Sequence, residues 1–336
     1  MTAPTATTLF KTLSDAGFKK SHVRALLPSW WDDQHAASDA GAWELALLLA
    51  RRLSLDVTDL AHGVVRPTGA VNSVAFKHRK SQDPAELTPS SLIAGSIAQA
   101  VLASMPAAQP GRRTASDIRQ AILAQHRTVG FDELLAYCWS CGIPVIPLLN
   151  LPVGMRKMDG AIFSVEDRPV IVLSRKQESR AWMSFILAHE LAHFCCGHLK
   201  SNAAIVDVEL QNNATYQAES AQDPQEREAD EFALDLLGGA QAEAIASSWS
   251  AQSSPVGLAV AAREQSQGSG VAAGHLVLRF AFLTKRWPVA LSALAYLKED
   301  FDAQRALLER LNSAIDISQL AEDLRDHLKN IVGIAD

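Results

Sequence analysis

The 336-residue chain carries 31 Lys and Arg against 37 Asp and Glu, a net charge of −6, with 48% hydrophobic and 20% charged residues. This length predicts two or three folded units with ample material for a core, and the acidic balance argues against a protein built chiefly to neutralise nucleic-acid phosphates. No apolar run is long enough to span a bilayer and no basic-then-apolar leader opens the chain, so a cytoplasmic protein with its four cysteines reduced is expected.

Residues 1–80 are expected to form a mostly helical domain. Leu9 to Phe18 reads as a short helix stopped near Gly17, Ser21 caps a second that runs to Leu27, and Trp43 to Leu53 is a third with strong apolar periodicity. Leu49 to Leu60 resembles the end of an XRE-type helix-turn-helix domain. However, Pro28-Ser29-Trp30-Trp31-Asp32-Asp33 falls where a recognition helix is expected, and its carboxylates do not suit phosphate contact. A helical packing module is therefore preferred to a DNA reader, although Lys77-His78-Arg79-Lys80 and Arg112-Arg113 are local basic spots. Residues 81–114, punctuated by Pro84, Pro89, Pro106 and Pro110-Gly111, read as a linker region holding one small helix from Leu92 to Ser104.

A third unit is placed at 115–285. A helix at Phe131 to Tyr137 leads to a strand at Ile143 to Leu149. Cys138-Trp139-Ser140-Cys141 between them is better read as two small core residues than as a redox or zinc-knuckle pair. The chemistry sits in His189-Glu190-Leu191-Ala192-His193, flanked by Trp182, Phe185, Ile186 and Phe194. Histidines four apart share one helical face and reach one metal ion from successive turns, while Glu190 is placed to act as general base toward water. A core helix has no other use for three ionisable groups, because such groups are costly in an apolar interior. Zinc with three protein ligands is the expected cofactor, with manganese or iron as alternatives in the cell.

The third ligand is sought in the next helix. Asp223 and Pro224 suit its N-terminus, and Ala229, Phe232, Ala233, Leu236 and Leu237 form its buried stripe. Glu226 lies on that stripe and is the preferred ligand, with Glu228 in reserve. Asp230, one turn on from Glu226, is placed to take the second ring N–H of His189 or His193. His198 does not meet the H-E-x-x-H-x-x-G-x-x-H pattern, because Gly197 and His198 are each displaced by one position. A thiol of Cys195 or Cys196 near the metal's open position is a further candidate.

Ile186 to His193, together with E-x-x-A-x-x-F-A-x-x-L-L from Glu226 to Leu237, resembles the ImmA/IrrE family of metallopeptidases. The resemblance extends over residues 115–240 and includes Asp159 to Phe163 and Arg168 to Ser174 as a hairpin before the active-site helix. It implies His189, His193 and Glu226 as zinc ligands and Glu190 as catalytic base. It also implies a protein substrate, expected to be a helix-turn-helix repressor cleaved in a stress, mobile-element or defence response. Gly238-Gly239 stands where the family often has Met-Pro.

Ser201 to Gln222, polar and rich in Asn and Gln, reads as a lid loop, with Tyr216 inside it. Beyond it, Gly257 to Arg263 and Val271 to Leu283 read as helices closing the peptidase unit, and residues 286–336 as a C-terminal helical segment with Phe301 to Leu311 clearly amphipathic. The fold expected is α+β and mostly helical, with a small antiparallel sheet packed on the H-E-x-x-H helix. The competing functional expectation is a regulatory or DNA-binding protein with a structural or vestigial zinc site.

Overall fold

The computed structural model describes residues 3–77, 86–174, 179–207, 223–249, 254–298 and 300–334. Among the described residues the fold is α+β and mostly helical, as expected, around one five-stranded sheet, and no helix is long and apolar enough to cross a membrane.

The N-terminal helices are α1 (Ala6–Asp15), α2 (Lys20–Ala25), α3 (Asp39–Arg52) and α4 (Val57–Ala61). Thr5 caps α1 by accepting from the Thr8 amide, and Leu9, Leu13, Phe18, Val23, Leu45 and Leu49 form the common core. Pro28 to Asp33 is loop and turn, with Trp30 exposed. The reading of residues 1–80 as mostly helical does not include β1 (Ser73–Lys77), which adds to the sheet.

The remaining strands are β2 (Val145–Pro147), β3 (Gly160–Val165), β4 (Arg168–Leu173) and β5 (Ala203–Asp207), in the order β1-β5-β3-β4-β2. The β3–β4 and β3–β5 pairs are antiparallel, while β1 joins β5 and β2 joins β4 in parallel, so the sheet is mixed, antiparallel in its middle and parallel at its edges, rather than antiparallel throughout as expected. β3 and β4 close over two residues, Glu166 and Asp167, both at positive φ, which matches the twist of the flanking strands. The Glu166 amide is held by Asn202 Oδ1 at 3.0 Å.

Both faces of β3 and β4 are covered, which is why their residues are almost uniformly apolar and buried. One face packs on α8 (Arg180–Cys195), and the other on α5 (Thr88–Ala103). The segment expected as a short linker helix is thus a 16-residue helix, buried from Pro89 through Ser96 and beyond. Its hydroxyls return to its own carbonyls, Ser91 Oγ donating to Leu87 O at 2.9 Å, so they cost little in the interior.

α6 (Ala115–Leu123) and α7 (Phe131–Ser140) precede β2, and α9 (Pro224–Leu237), α10 (Gly239–Ser248), α11 (Pro255–Ser269) and α12 (Ala273–Thr284) follow the sheet. α13 (Trp287–Tyr296) sets Trp287 against Trp182 of α8, with ring centroids 6.0 Å apart and nearly parallel planes. Phe282 packs on both Trp287 and Phe185, so the C-terminal helices are fastened to α8 by aromatic contact. α14 (Ala303–Ala314) packs on β2 and α7. α15 (Glu322–Val332) lies on α3 and α5, bringing the end of the chain back to its beginning.

Candidate metal centre

The centre is built on α8. Ser179 caps it, and every residue from Trp182 to Phe194 is buried. Its end is shaped by Gly197 at φ +83°, where the left-handed residue lets the His198 amide donate back to His193 O at 2.9 Å and Gly197 N to Phe194 O at 3.1 Å. This turn folds His198 over the helix, with its Nδ1 3.0 Å from His193 Nδ1 and its Nε2 3.0 Å from Glu228 Oε2.

Packed along α8 is α9, capped by Asp223 and opened by Pro224. Glu226, Ala229, Ala233, Leu236 and Leu237 are buried as the periodicity predicts, with Asp230 and Leu234 beside them, while Phe232, expected on the same stripe, is only half-buried. Glu226 Oε2 stands 3.3 Å from His189 Nε2, and Glu226 Oε1 3.7 Å from His193 Nε2. Asp230 Oδ1 is 3.0 Å from His189 Nδ1, which fixes that ring with Nε2 turned to Glu226. Glu228 points elsewhere, largely exposed and onto His198.

The sheet contributes two further groups. Asp207, at the end of β5, is fully buried with Oδ2 3.5 Å from His193 Nε2 and 3.8 Å from His189 Nε2. Gly160, its register partner on β3, passes so close to α8 that a Cβ there would come 2.1 Å from Glu190 Oε1. At the rim, Lys77 Nζ lies 2.5 Å from Asp223 Oδ2 and 3.9 Å from Glu226 Oε1.

His189, His193, Asp207 and Glu226 therefore present donor atoms all within 4.8 Å of one another. Burial works against charge on His189, but Asp230 and Glu226 outweigh it and hold the ring's proton affinity well above the ordinary value. Burial lowers that of His193, against the pull of Asp207. Burial, reinforced by the Asp207 charge, pushes the Glu190 carboxyl well above the usual range. Neither Glu190 oxygen, nor His193 Nε2, has a hydrogen-bond partner among the described residues. Two imidazoles and three carboxyls gathered in a dry interior require compensating positive charge, and a nitrogen and oxygen donor set of this kind suits a divalent transition metal.

The sequence located the two histidines, Glu190, Glu226 and Asp230, and the structure brings these together. It does not bring Cys195 or Cys196 into the donor set: Cys196 groups with His198 and Glu228, and burial lifts both thiols to about 11. Cys138 and Cys141, at the end of α7, belong to no metal-capable group among the described residues. Asp207 and Gly160 were missed as site residues. The stretch read as a lid contains β5, and the apolar run Ala203 to Val206 ending in a lone Asp was the available signal. Residues 208–222 of that expected lid, Tyr216 included, lie outside the described residues, as do His78 to Lys80.

Residues 144–242 match the family model for the IrrE N-terminal-like domain, Peptidase_M78, which supports an ImmA/IrrE family metallopeptidase. The matched span contains all the donor residues above. No curated protein matches the chain.

Proposed function

We propose that the protein is a zinc-dependent endopeptidase that cleaves a specific protein, a helix-turn-helix repressor, in a stress, mobile-element or defence response. The observation that carries this reading is the convergence of His189, His193 and Glu226 around one point, with Glu190 one residue along the same helix. Zinc held there supplies Lewis acidity toward a scissile carbonyl and a water molecule of lowered pKa.

The chain's own residues do the rest. Glu190 accepts the proton of the attacking water on a carboxylate oxygen and returns it to the nitrogen of the departing amine. The elevated proton affinity of this buried carboxyl suits both halves of that transfer. Asp230 accepts from His189 Nδ1–H and keeps Nε2 turned toward Glu226 as the ligating atom. His193 Nδ1–H donates to His198 Nδ1, whose Nε2–H donates to Glu228, so the second imidazole is oriented by a relay that reaches the surface. Gly160 leaves the space in which the Glu190 carboxylate sits.

Glu190→Gln tests the reading, since it removes the base while keeping the ligands. Hydrolysis of a cognate repressor should fall by a factor of about 10² to 10⁴ with metal content unchanged. A repressor left intact by protein that hydrolyses a generic amide would discard the proposed target but not the chemistry. A second reading, a regulatory protein with a structural metal, is favoured by the completeness with which the donor atoms are buried. It predicts that the biological response survives Glu190→Gln.

A further inference from the structure

We propose that Asp207 is a fourth protein ligand, occupying the coordination position that a hydrolytic site leaves to water, so that the centre is closed until this carboxylate turns away. The inference rests on the metallopeptidase reading above and adds a resting state to it.

The placement of Asp207 is rigid at the backbone. It ends β5 between two neighbours, in register with Lys77 of β1 on one side and Gly160 of β3 on the other. Its carbonyl accepts from the Asp159 amide at 2.9 Å. The side chain is fully buried on the face of the sheet that meets α8. Ile205, two residues earlier and on the same face, is apolar and 4% exposed, so the strand's pattern alone would put a hydrophobic residue at 207. The carboxylate that stands there instead faces the histidine pair of α8.

Four donor separations are His189 Nε2 to Glu226 at 3.3 Å, His193 Nε2 to Asp207 at 3.5 Å, His193 Nε2 to Glu226 at 3.7 Å and His189 Nε2 to Asp207 at 3.8 Å. Nitrogen or oxygen ligands at zinc bond lengths of about 2.0 to 2.1 Å, arranged tetrahedrally, stand about 3.3 to 3.4 Å apart. The imidazole-to-carboxylate spacings of Asp207 thus fall in the same narrow band as those of Glu226. Asp207 and Glu226 approach the histidine pair from different elements, the end of β5 and α9, as two ligands of one ion can. Three protein ligands leave a zinc site open for catalysis, whereas four close it. Water gains access when the Asp207 side chain rotates, with its backbone still held in the sheet.

The test compares wild type, Asp207→Asn and Asp207→Ala, full-length and metal-loaded, in two measurements that do not depend on turnover. The first is competition for zinc against a chromophoric chelator. The second is the visible spectrum of the cobalt-substituted protein with and without added acetate, which reports entry of an outside ligand. Wild type should hold one zinc and show a cobalt spectrum indifferent to acetate. Asp207→Ala should hold zinc about tenfold or more weakly, and its cobalt spectrum should respond to acetate. The near-isosteric Asp207→Asn, which preserves the packing, should weaken zinc in the same direction, and it carries the test alone if the alanine variant does not fold. Equal zinc affinity in wild type and Asp207→Asn, with matching cobalt spectra, overturns the fourth-ligand assignment and leaves the endopeptidase reading intact. A wild-type protein that binds no metal overturns both.

Discussion

The backbone of Gly160 and the carboxylate of Glu190 share one space: a Cβ on the glycine would lie 2.1 Å from Oε1, 2.8 Å from the carboxyl carbon and 3.0 Å from Cγ. The crowding involves the whole end of the Glu190 side chain, so a rotation of its tip alone does not relieve it. Gly160→Ala should therefore lower peptide hydrolysis by about 10²-fold or more, as for loss of the base itself. Zinc content should stay at the wild-type value, because no ligand is displaced. Metal analysis beside a rate measurement separates the two.

The hydrogen bond between His189 Nδ1 and Asp230 Oδ1 is buried, whereas the one from His198 reaches the exposed Glu228. Loss of the buried orienting group should matter more. Asp230→Asn is expected to weaken zinc binding by about 10- to 100-fold, and Glu228→Gln to have a smaller effect. Chelator competition on the two variants side by side checks the order; a larger loss in Glu228→Gln would reverse it.

Two histidines away from the centre are buried and held neutral. His275 is lowered to about 3 by burial and by the charges of Arg279 and Arg119, and His327 to about 3 by burial and by Arg52. In the unfolded chain each titrates near 6.5, so between about pH 6.5 and 3 the unfolded state binds protons that the folded state refuses. Stability is present above pH 6.5 and is lost as pH falls. At pH 5 each site should have lost about 2 kcal/mol relative to pH 7. His327→Asn removes one such group, so its stability deficit against wild type in urea unfolding should shrink by that amount from pH 7 to pH 5.

The stack of Trp182 on Trp287 joins α8 to α13 through the interior. Trp287→Ala should cost about 3 to 5 kcal/mol in chemical denaturation, the usual range for removing a buried indole. Because Trp182 opens the helix that carries His189 and His193, the same variant should lose zinc to a chelator faster than wild type does.

What the sequence made legible was periodic or local. The H-E-x-x-H helix and the stripe from Glu226 to Leu237 each declare a buried face every three or four residues, and a charged residue on such a face is conspicuous. Asp207 is not on a helix. It ends a five-residue strand in a stretch otherwise polar, and nothing nearby in sequence indicates that Gly160 and Lys77 flank it. β1 was hidden for the same reason, since Ser73 to Lys77 is a strand only because Ala203 to Asp207 lies alongside. α5 has few charges and many small residues between proline-rich stretches, features shared by linkers and by helices buried on all sides; only its packing distinguishes them.

The pairing of β1 with β5 also bears on where this protein can be cut for study. A fragment trimmed to the family match, or begun at residue 115, would lack β1 and α5 together. Ala203 to Asp207 would then become a bare edge strand with unsatisfied amides and carbonyls, next to a stripped apolar sheet face, an arrangement that invites strand-to-strand association between molecules. Because the partners are so distant in sequence, the edge is also completed late in any folding route that starts from local contacts. The smallest unit expected to stay monodisperse is therefore one that begins ahead of Ser73, well before the H-E-x-x-H motif gives any hint of a boundary.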